Sequence, residues 1–162
     1  MLRQLPALCA GVLMLAACTN DGATVQAPAP LTTVDTPYEP PFTDDSGPEY
    51  FRAKLSDVHF DTDAYTLSLE AQSTLQRQAA WLRHYPQYAL TIEGHADERG
   101  TREYNLALGE RRAQAIMNYL IALGFDPKRL KTISYGKERP TCTEADETCW
   151  AQNRRGVSTL DQ

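Results

Sequence analysis

The chain has 162 residues and a formal net charge of −5, from 16 Lys and Arg against 21 Asp and Glu. This length allows one compact domain with a tail, and the acidic balance argues against nucleic acid as the main partner. The sequence contains three histidines without paired-histidine spacing, no Gly-x-Ser-x-Gly elbow and no phosphate-binding glycine loop. We therefore expect neither catalysis nor a metal or other cofactor.

The start of the chain has the pattern of an export signal. Residues 5–17 form a nearly apolar run that is too short to span a bilayer. The tetrad Leu15-Ala16-Ala17-Cys18 resembles the lipobox of bacterial lipoproteins. That resemblance implies a signal peptide over residues 1–17, acylation of Cys18 and retention at a membrane, and Thr19 fits the outer membrane under the sorting rule of enteric bacteria. The alternative is an ordinary secretory signal with a chance cysteine.

Residues 18–50 are predicted to be the lipidated cysteine and a disordered, proline-rich tether. Six of the ten prolines fall between residues 19 and 49, where no apolar period is present. Such a composition favours a disordered, partly polyproline II chain. About thirty residues of this kind would separate an anchor from a domain by roughly 30 Å on average.

Residues 51–162 have the pattern of alternating strands and helices. Strands are predicted at 58–60, 88–93, 130–135 and, weakly, after 154, with helices from the Ser68 cap to before Pro86 and over 101–123, the latter closed by Gly124 and Pro127. This order predicts an α+β domain of the form βαβαβ(α)β. We expect two layers, a mixed sheet with its helices packed on one face.

One acid and one base stand out. Counting 100° per residue places Arg112 on the same helical arc as Leu108 and Ile116. A guanidinium cannot lose its charge, so this position requires a carboxylate or an open polar site. Asp97, just past a strand, is the candidate partner. Asp97 and Arg112 either form a structural ion pair or are held apart to bind the ammonium and the carboxylate of a zwitterion.

Three blocks in order carry a family resemblance. Gly94 to Arg112, Ser134 to Pro140 and Asn153-Arg154-Arg155 resemble the OmpA-like peptidoglycan-binding domain family over about residues 55–157. The resemblance implies noncovalent binding of the meso-diaminopimelate side chain of the cell-wall peptide. It places Asp97 and Arg112 at the family's ligand-binding positions and thus favours the zwitterion site.

Four further residues are carried over from this resemblance. Thr62-Asp63 matches a family dipeptide, often an aromatic followed by an acid, that lines the pocket, although Thr62 lacks the ring. The backbone amide of Asp63 would bind a carboxylate. Leu108 would contact the aliphatic stem of the ligand, or serve as ordinary core. Asn105 would steady the loop or reach the ligand, and we favour the first role.

Two cysteines and one histidine complete the candidates. Cys142 and Cys149 flank a short polar segment and, in an exported protein, predict a disulfide, with two free thiols as the alternative. His95, Asp97 and Glu98 resemble a metal or acid/base cluster, but too few ligands are present. We therefore expect a structural role for His95.

Together these features predict a lipoprotein at the periplasmic face of the outer membrane that ties that membrane to the cell wall. The resemblance also implies a periplasmic partner, TolB, the propeller protein of the Tol system, which acts in envelope integrity and cell division. Two alternatives stay open. One is a wall anchor of this family outside the Tol system, and the other is a protein-docking lipoprotein whose pocket is vestigial.

Overall fold

The computed structural model describes residues 47–161. The elements in this part of the chain are α1 (Pro48–Lys54), β1 (Asp57–His59), α2 (Leu69–His84), β2 (Ala89–His95), α3 (Arg102–Ala122), a 3₁₀ turn (Pro127–Arg129), β3 (Leu130–Gly136), α4 (Glu147–Asn153) and β4 (Arg155–Asp161). The predicted signal peptide, the lipidation site Cys18 and the tether up to residue 46 lie outside the described residues. Within the described range no helix is both long and apolar enough to cross a membrane.

The four strands form one mixed sheet in the order β1-β4-β2-β3. β4 runs antiparallel to both of its neighbours, while β2 and β3 are parallel. The segment after residue 154, predicted as a weak last strand, is therefore an interior strand. It pairs with β2 from Ala89↔Asp161 to Gly94↔Gly156. Long-range pairing overrides the modest strand propensity of its Gly and Ser residues.

Side-chain caps start the two long helices where the sequence predicts them. The Ser68 hydroxyl accepts from the backbone N–H of Ala71 at 3.1 Å, and the Thr101 hydroxyl accepts from Tyr104 at 3.2 Å. These bonds satisfy backbone donors that the first helical turn leaves free. α3 ends at a left-handed glycine, Gly124, whose φ is +88°.

α1 starts three residues before the predicted domain boundary at residue 51. Pro48 occupies a first-turn position of the helix, where its missing N–H has no consequence. Phe51 is fully buried, and its ring lies 4.8 Å from that of Trp81 on α2. Packing against α2 therefore orders a segment whose proline-rich neighbourhood predicts no structure.

The core lies between the sheet and its helices, on one face only. Leu90 and Ile92 of β2 are fully buried, as are Leu75 and Leu82 of α2 and Ile116 of α3. All belong to one continuous apolar cluster. The two-layer α+β prediction is confirmed, and α3 crosses the sheet beside the carboxyl end of β2.

Two glycines allow α3 to approach β2 closely. A Cβ built on Gly94 would overlap the carbonyl oxygen and carbon of Gly109, and one on Gly109 would overlap the Ser134 hydroxyl and the Gly94 carbonyl. Backbone therefore touches backbone at this point. The contact fixes α3 relative to the end of β2, from which the loop at residues 96–100 emerges.

His95 closes β2 and is 2% exposed. Neither of its ring nitrogens has a hydrogen-bond partner among the described residues, and Nε2 lies 3.4 Å from a carboxylate oxygen of Glu93. Burial, followed by the charges of Arg155 and Arg139, lowers the pKa of His95 to about 4 and outweighs that carboxylate. The ring is thus neutral near pH 7 and plays the structural role expected of it.

Replacing Gly94 by Ala is expected to lower the free energy of unfolding by about 3 kcal/mol, because a rigid backbone carbonyl must move. Urea denaturation at pH 7 measures the change. Gly47→Ala is the matched control, since a Cβ there meets nothing within 4 Å, and it should cost less than about 1 kcal/mol. Equal stabilities for the two variants would contradict the close approach.

The buried His95 predicts an acid-dependent loss of stability. The unfolded state binds a proton near pH 6.5 and the folded state only near pH 4. The stabilisation is therefore complete above pH 6.5 and disappears as the pH falls towards 4, by as much as about 3 kcal/mol. Urea unfolding between pH 7 and 4 should show a shallower decline in His95→Gln than in the wild type. Parallel declines would contradict the prediction.

Candidate binding site

Asp97 lies two residues beyond β2 and is 7% exposed. The Arg99 guanidinium forms a bidentate contact with its carboxylate: Nε donates to Oδ1 at 3.1 Å and Nη2 donates to Oδ2 at 2.7 Å. The backbone N–H of Arg99 also donates to Oδ1. Nη1 of Arg154 approaches Oδ2 at 3.5 Å. Two arginines therefore hold the carboxylate in one orientation.

These contacts determine the charge of Asp97. Burial alone would raise the pKa of Asp97, but the hydrogen bonds and charge of Arg99, with a bond from Arg154, lower it below its ordinary value. In return, the hydrogen bond to Asp97 raises the pKa of Arg99. Asp97 is therefore an ionised acceptor at neutral pH, held in place before any ligand arrives.

Arg112 on α3 is fully buried and bonded to backbone carbonyls. Its Nε donates to the carbonyl of Ala64 at 2.8 Å, Nη1 to that of His95 at 2.8 Å and Nη2 to that of Asp61 at 3.0 Å. Burial is the main cause that lowers its pKa, to about 10. The guanidinium thus remains charged at neutral pH.

The prediction of a structural ion pair between Asp97 and Arg112 is therefore wrong. Within residues 47–161 Asp97 pairs with Arg99 and Arg154, while Arg112 donates to carbonyls. The two groups are held apart, as the zwitterion alternative requires. However, three of the five N–H groups on Arg112 are engaged, so the fork is less open than that alternative assumes.

A pocket of about 340 Å³ lies beside these groups. Its lining residues are Thr62, Asp63, Asp97, Arg99, Gly100, Tyr104, Asn105 and Leu108. The structure therefore brings together five of the six predicted ligand residues. Arg112 is not part of the lining, because its guanidinium is enclosed by the backbone carbonyls that it contacts.

The turn after β1 forms one wall of the pocket. Asp63 has a φ of +56°, a left-handed conformation that is uncommon for residues other than glycine. Its carboxylate accepts a hydrogen bond from the Tyr104 hydroxyl on α3. Thr62, where the family often has an aromatic residue, places its hydroxyl 3.5 Å from Nη2 of Arg99. These contacts close the pocket from the side of β1.

α3 supplies the opposite wall. The side-chain amide of Asn105, 2% exposed, donates to the carbonyl of Arg99 at 2.7 Å. This contact with the loop supports the expected steadying role of Asn105, which stays a prediction. Leu108 is 5% exposed and lines the pocket one turn before Arg112. It is the apolar surface that the aliphatic stem of a ligand would meet.

The last helix supports the site from behind. A disulfide joins Cys142 to Cys149 on α4, with a Cα–Cα distance of 5.2 Å, which confirms the predicted pairing. Arg154, just after α4, donates to Glu147 at 2.7 Å and to the carbonyl of Phe60 at 3.1 Å. Its guanidinium therefore connects α4, β1 and the binding loop.

Sequence reasoning did not assign Arg99, Tyr104 or Arg154 to the site. Arg154 stands in one of the three blocks that carry the family resemblance, but nothing in its spacing points to Asp97, 57 residues away. Arg99 is two residues from Asp97, a spacing that permits a forked contact but does not require it.

Two other features of the described residues do not contribute ligand chemistry here. No group of three or more His, Cys, Asp or Glu side chains in this part of the chain could hold a metal ion. A groove of about 680 Å³ lies between β1, the start of α2 and α4. It is larger than the pocket at Asp97, but it contains none of the predicted ligand residues.

Comparisons with known proteins identify the relatives of this chain. The sequence pattern of the OmpA family matches residues 59–154. The peptidoglycan-associated lipoprotein of Mesorhizobium japonicum is 58% identical over 111 residues, 68% of this chain and 66% of that protein. The peptidoglycan-associated lipoprotein of Pseudomonas aeruginosa is 50% identical over 101 residues, which are 62% of this chain and 60% of that protein. The match thus spans about three fifths to two thirds of these relatives.

Solved structures agree with the sequence relatives. The peptidoglycan-associated lipoprotein from Burkholderia pseudomallei has a TM-score of 0.64 at 42% identity and covers 65% of this chain and 90% of that one. The C-terminal domain of Helicobacter pylori MotB has a TM-score of 0.62 at 19% identity, over 67% of this chain and 85% of that one. The second similarity concerns the fold alone.

The relatives bear on two expectations. Their names describe lipoproteins associated with peptidoglycan rather than enzymes, which confirms the expectation that this chain is not an enzyme. The family pattern covers more than half of the chain and includes the end of β1, the binding loop, α3 and Arg154. The chain therefore belongs to the OmpA family.

Proposed function

We propose that this protein is an outer-membrane lipoprotein that binds peptidoglycan noncovalently, through the meso-diaminopimelate side chain of the wall peptide. It ties the outer membrane to the wall and acts as the peptidoglycan-associated lipoprotein of the Tol system. The observation that carries the proposal is the pocket lined by the ionised Asp97, whose α3 wall also holds the fully buried guanidinium of Arg112 one turn after Leu108.

Asp97 provides the place for the ammonium group of diaminopimelate. Its carboxylate is ionised and oriented by Arg99 and Arg154 before a ligand arrives. A carboxylate has about four acceptor positions, and it lines the pocket. Three donors from Arg99 and one from Arg154 already contact its two oxygens, so an ammonium must displace one of them, and the 3.5 Å contact from Arg154 is the longest.

Positive charge near the pocket favours the carboxylate of the same side chain. Two N–H groups of Arg112 have no acceptor within residues 47–161, and Arg154 adds a second buried guanidinium. Their attraction for a carboxylate is stronger here than in water because the surroundings are buried. Leu108, which lines the same pocket, offers an apolar contact for the aliphatic stem.

The anchoring part of the proposal rests on the lipobox-like tetrad ending at Cys18 and on the names of the relatives, which are lipoproteins. TolB, the propeller protein of the Tol system, is the proposed periplasmic partner. A wall anchor outside that system would bind peptidoglycan equally well. Capture of purified TolB by the protein separates these two roles.

A second candidate is a protein-docking lipoprotein with a vestigial pocket. The observation in its favour is that the Arg99 side chain already donates two hydrogen bonds to the Asp97 carboxylate, while Arg112 is fully buried. Under this alternative the charges serve the fold alone. Wall binding distinguishes the two candidates.

The full chain, kept in solution with a mild detergent, is expected to sediment with purified sacculi that contain diaminopimelate. Asp97→Asn keeps the shape of the side chain but removes the charge that pairs with an ammonium, so affinity should fall at least about tenfold. Cosedimentation over a range of sacculus concentrations measures the change.

Glu110→Gln is the matched control for this variant. It removes one exposed carboxylate from α3, outside the lining of the pocket, and should bind sacculi like the wild type. Thermal unfolding verifies that each variant is folded. Indistinguishable binding by Asp97→Asn, the control and the wild type would favour the vestigial pocket.

Walls with lysine in place of diaminopimelate should bind at least about tenfold more weakly. Lysine has the ammonium but not the second carboxylate, so the positive charges of Arg112 and Arg154 gain no counter-charge from it. Competition between soluble wall peptides of the two types, measured against labelled diaminopimelate peptide, gives the ratio. This comparison changes the ligand and leaves the buried Arg112 intact. Equal competition would exclude a carboxylate-reading role for Arg112.

A further inference from the structure

Both arginines that hold Asp97 also contact α4. Arg154 pairs with Oε1 of Glu147 at 2.7 Å, and Nη1 of Arg99 lies 3.8 Å from Oε2 of the same carboxylate. The Arg99 guanidinium stacks over the Trp150 ring, 4.3 Å from its centroid. The orientation of the pocket carboxylate thus depends on a helix that lies outside the pocket lining.

Trp150 contacts the binding loop at two successive residues. Besides stacking with Arg99, its indole N–H donates to Oε1 of Glu98 at 2.9 Å. The face of the ring and its polar edge therefore hold neighbouring side chains of the loop. A cation is attracted to the face of an indole ring, and more strongly the less water surrounds it. The side chain of Arg99 is 38% exposed, so this attraction is moderate here.

α4 is too short to be stable alone and is fixed by its surroundings. The disulfide ties Cys149 on the helix to Cys142 before it. The side-chain oxygen Oδ1 of Asn153 accepts from the backbone N–H of Thr141 at 2.8 Å, and its side-chain Nδ2 donates to the backbone carbonyl of Cys142 at 2.7 Å. The segment from Thr141 to Asn153 is therefore a closed, rigid support for Trp150.

We propose that Trp150 is a positioning residue for wall binding. It holds Arg99, and through Arg99 the Asp97 carboxylate, in the orientation that receives an ammonium group. The inference rests on the proposed function. Without the indole platform, Arg99 and the loop sample other orientations, and ordering them on binding costs affinity.

The test measures binding of the peptide L-Ala-γ-D-Glu-meso-diaminopimelate to the full chain by calorimetry. Trp150→Leu removes the ring face and the N–H and should weaken binding roughly three- to tenfold. Trp150→Phe keeps an aromatic face and should give an intermediate loss. The phenylalanine variant also serves if the leucine variant does not fold.

A double-mutant cycle separates positioning through Arg99 from a general loss of structure. In an Arg99→Gln background the guanidinium is absent, so Trp150→Leu should have no further effect on affinity. Phe125→Leu is the control, because it removes another arginine–aromatic pair, with Arg129 at 4.5 Å, away from the pocket. Hydrogen exchange at the backbone amide of Arg99, which donates to Asp97, should be faster in Trp150→Leu than in the wild type and unchanged in Phe125→Leu.

The outcomes separate this inference from the proposed function. If the wild type binds the peptide, Asp97→Asn does not and Trp150→Leu binds like the wild type, the positioning role is overturned while the proposed function stands. If Trp150→Leu weakens binding by the same factor in the wild-type and in the Arg99→Gln background, the positioning role is also overturned. If the wild type fails to bind the peptide, the proposed function fails, and the positioning role fails with it.

Discussion

The buried guanidinium of Arg112 is the interaction on which the site depends. It binds the carbonyls of Asp61 and Ala64 after β1 and of His95 at the end of β2, so one side chain joins α3 to two other segments. Its contacts at 61 and 64 bracket Thr62 and Asp63, which explains how the left-handed turn at the pocket wall is held. Loss of this side chain would remove three hydrogen bonds at once, although the carbonyl of Asp61 would keep the bond that it accepts from the N–H of Ala64, and should cost several kcal/mol.

The charges around the pocket form a network rather than a pair. Asp97 contacts Arg99 and Arg154 directly, and Arg112 acts on it through its charge. One carboxylate therefore stands among three guanidinium groups, with Asp63 and Glu147 as the nearby acids. The three guanidinium charges are matched by these three carboxylates, so positive and negative groups lie side by side with no excess of positive charge. This alternation of charge suits a ligand that has an ammonium and a carboxylate on one chain.

Local signals in the sequence predicted most elements but not their partners. Ser68 and Thr101 mark helix starts that the structure reproduces, because an N-cap is decided by a few neighbouring residues. Helical periodicity likewise placed Arg112 on a buried arc. Its carbonyl partners, however, lie up to 51 residues away, and no periodicity encodes them. α1 was missed for the same reason, since Phe51 is ordered by contact with α2.

The interior position of β4 constrains when the sheet can form. β1 has β4 as its only neighbour among the described residues, although Asp57 and Val157 are about a hundred residues apart in the chain. β4 also separates β1 from β2, so nothing bridges the sheet until the last strand is present. A chain that emerges from its N-terminal end, from a ribosome or a translocation pore, therefore cannot complete this domain early. The topology delays folding of this domain until the residues of β4 have been delivered.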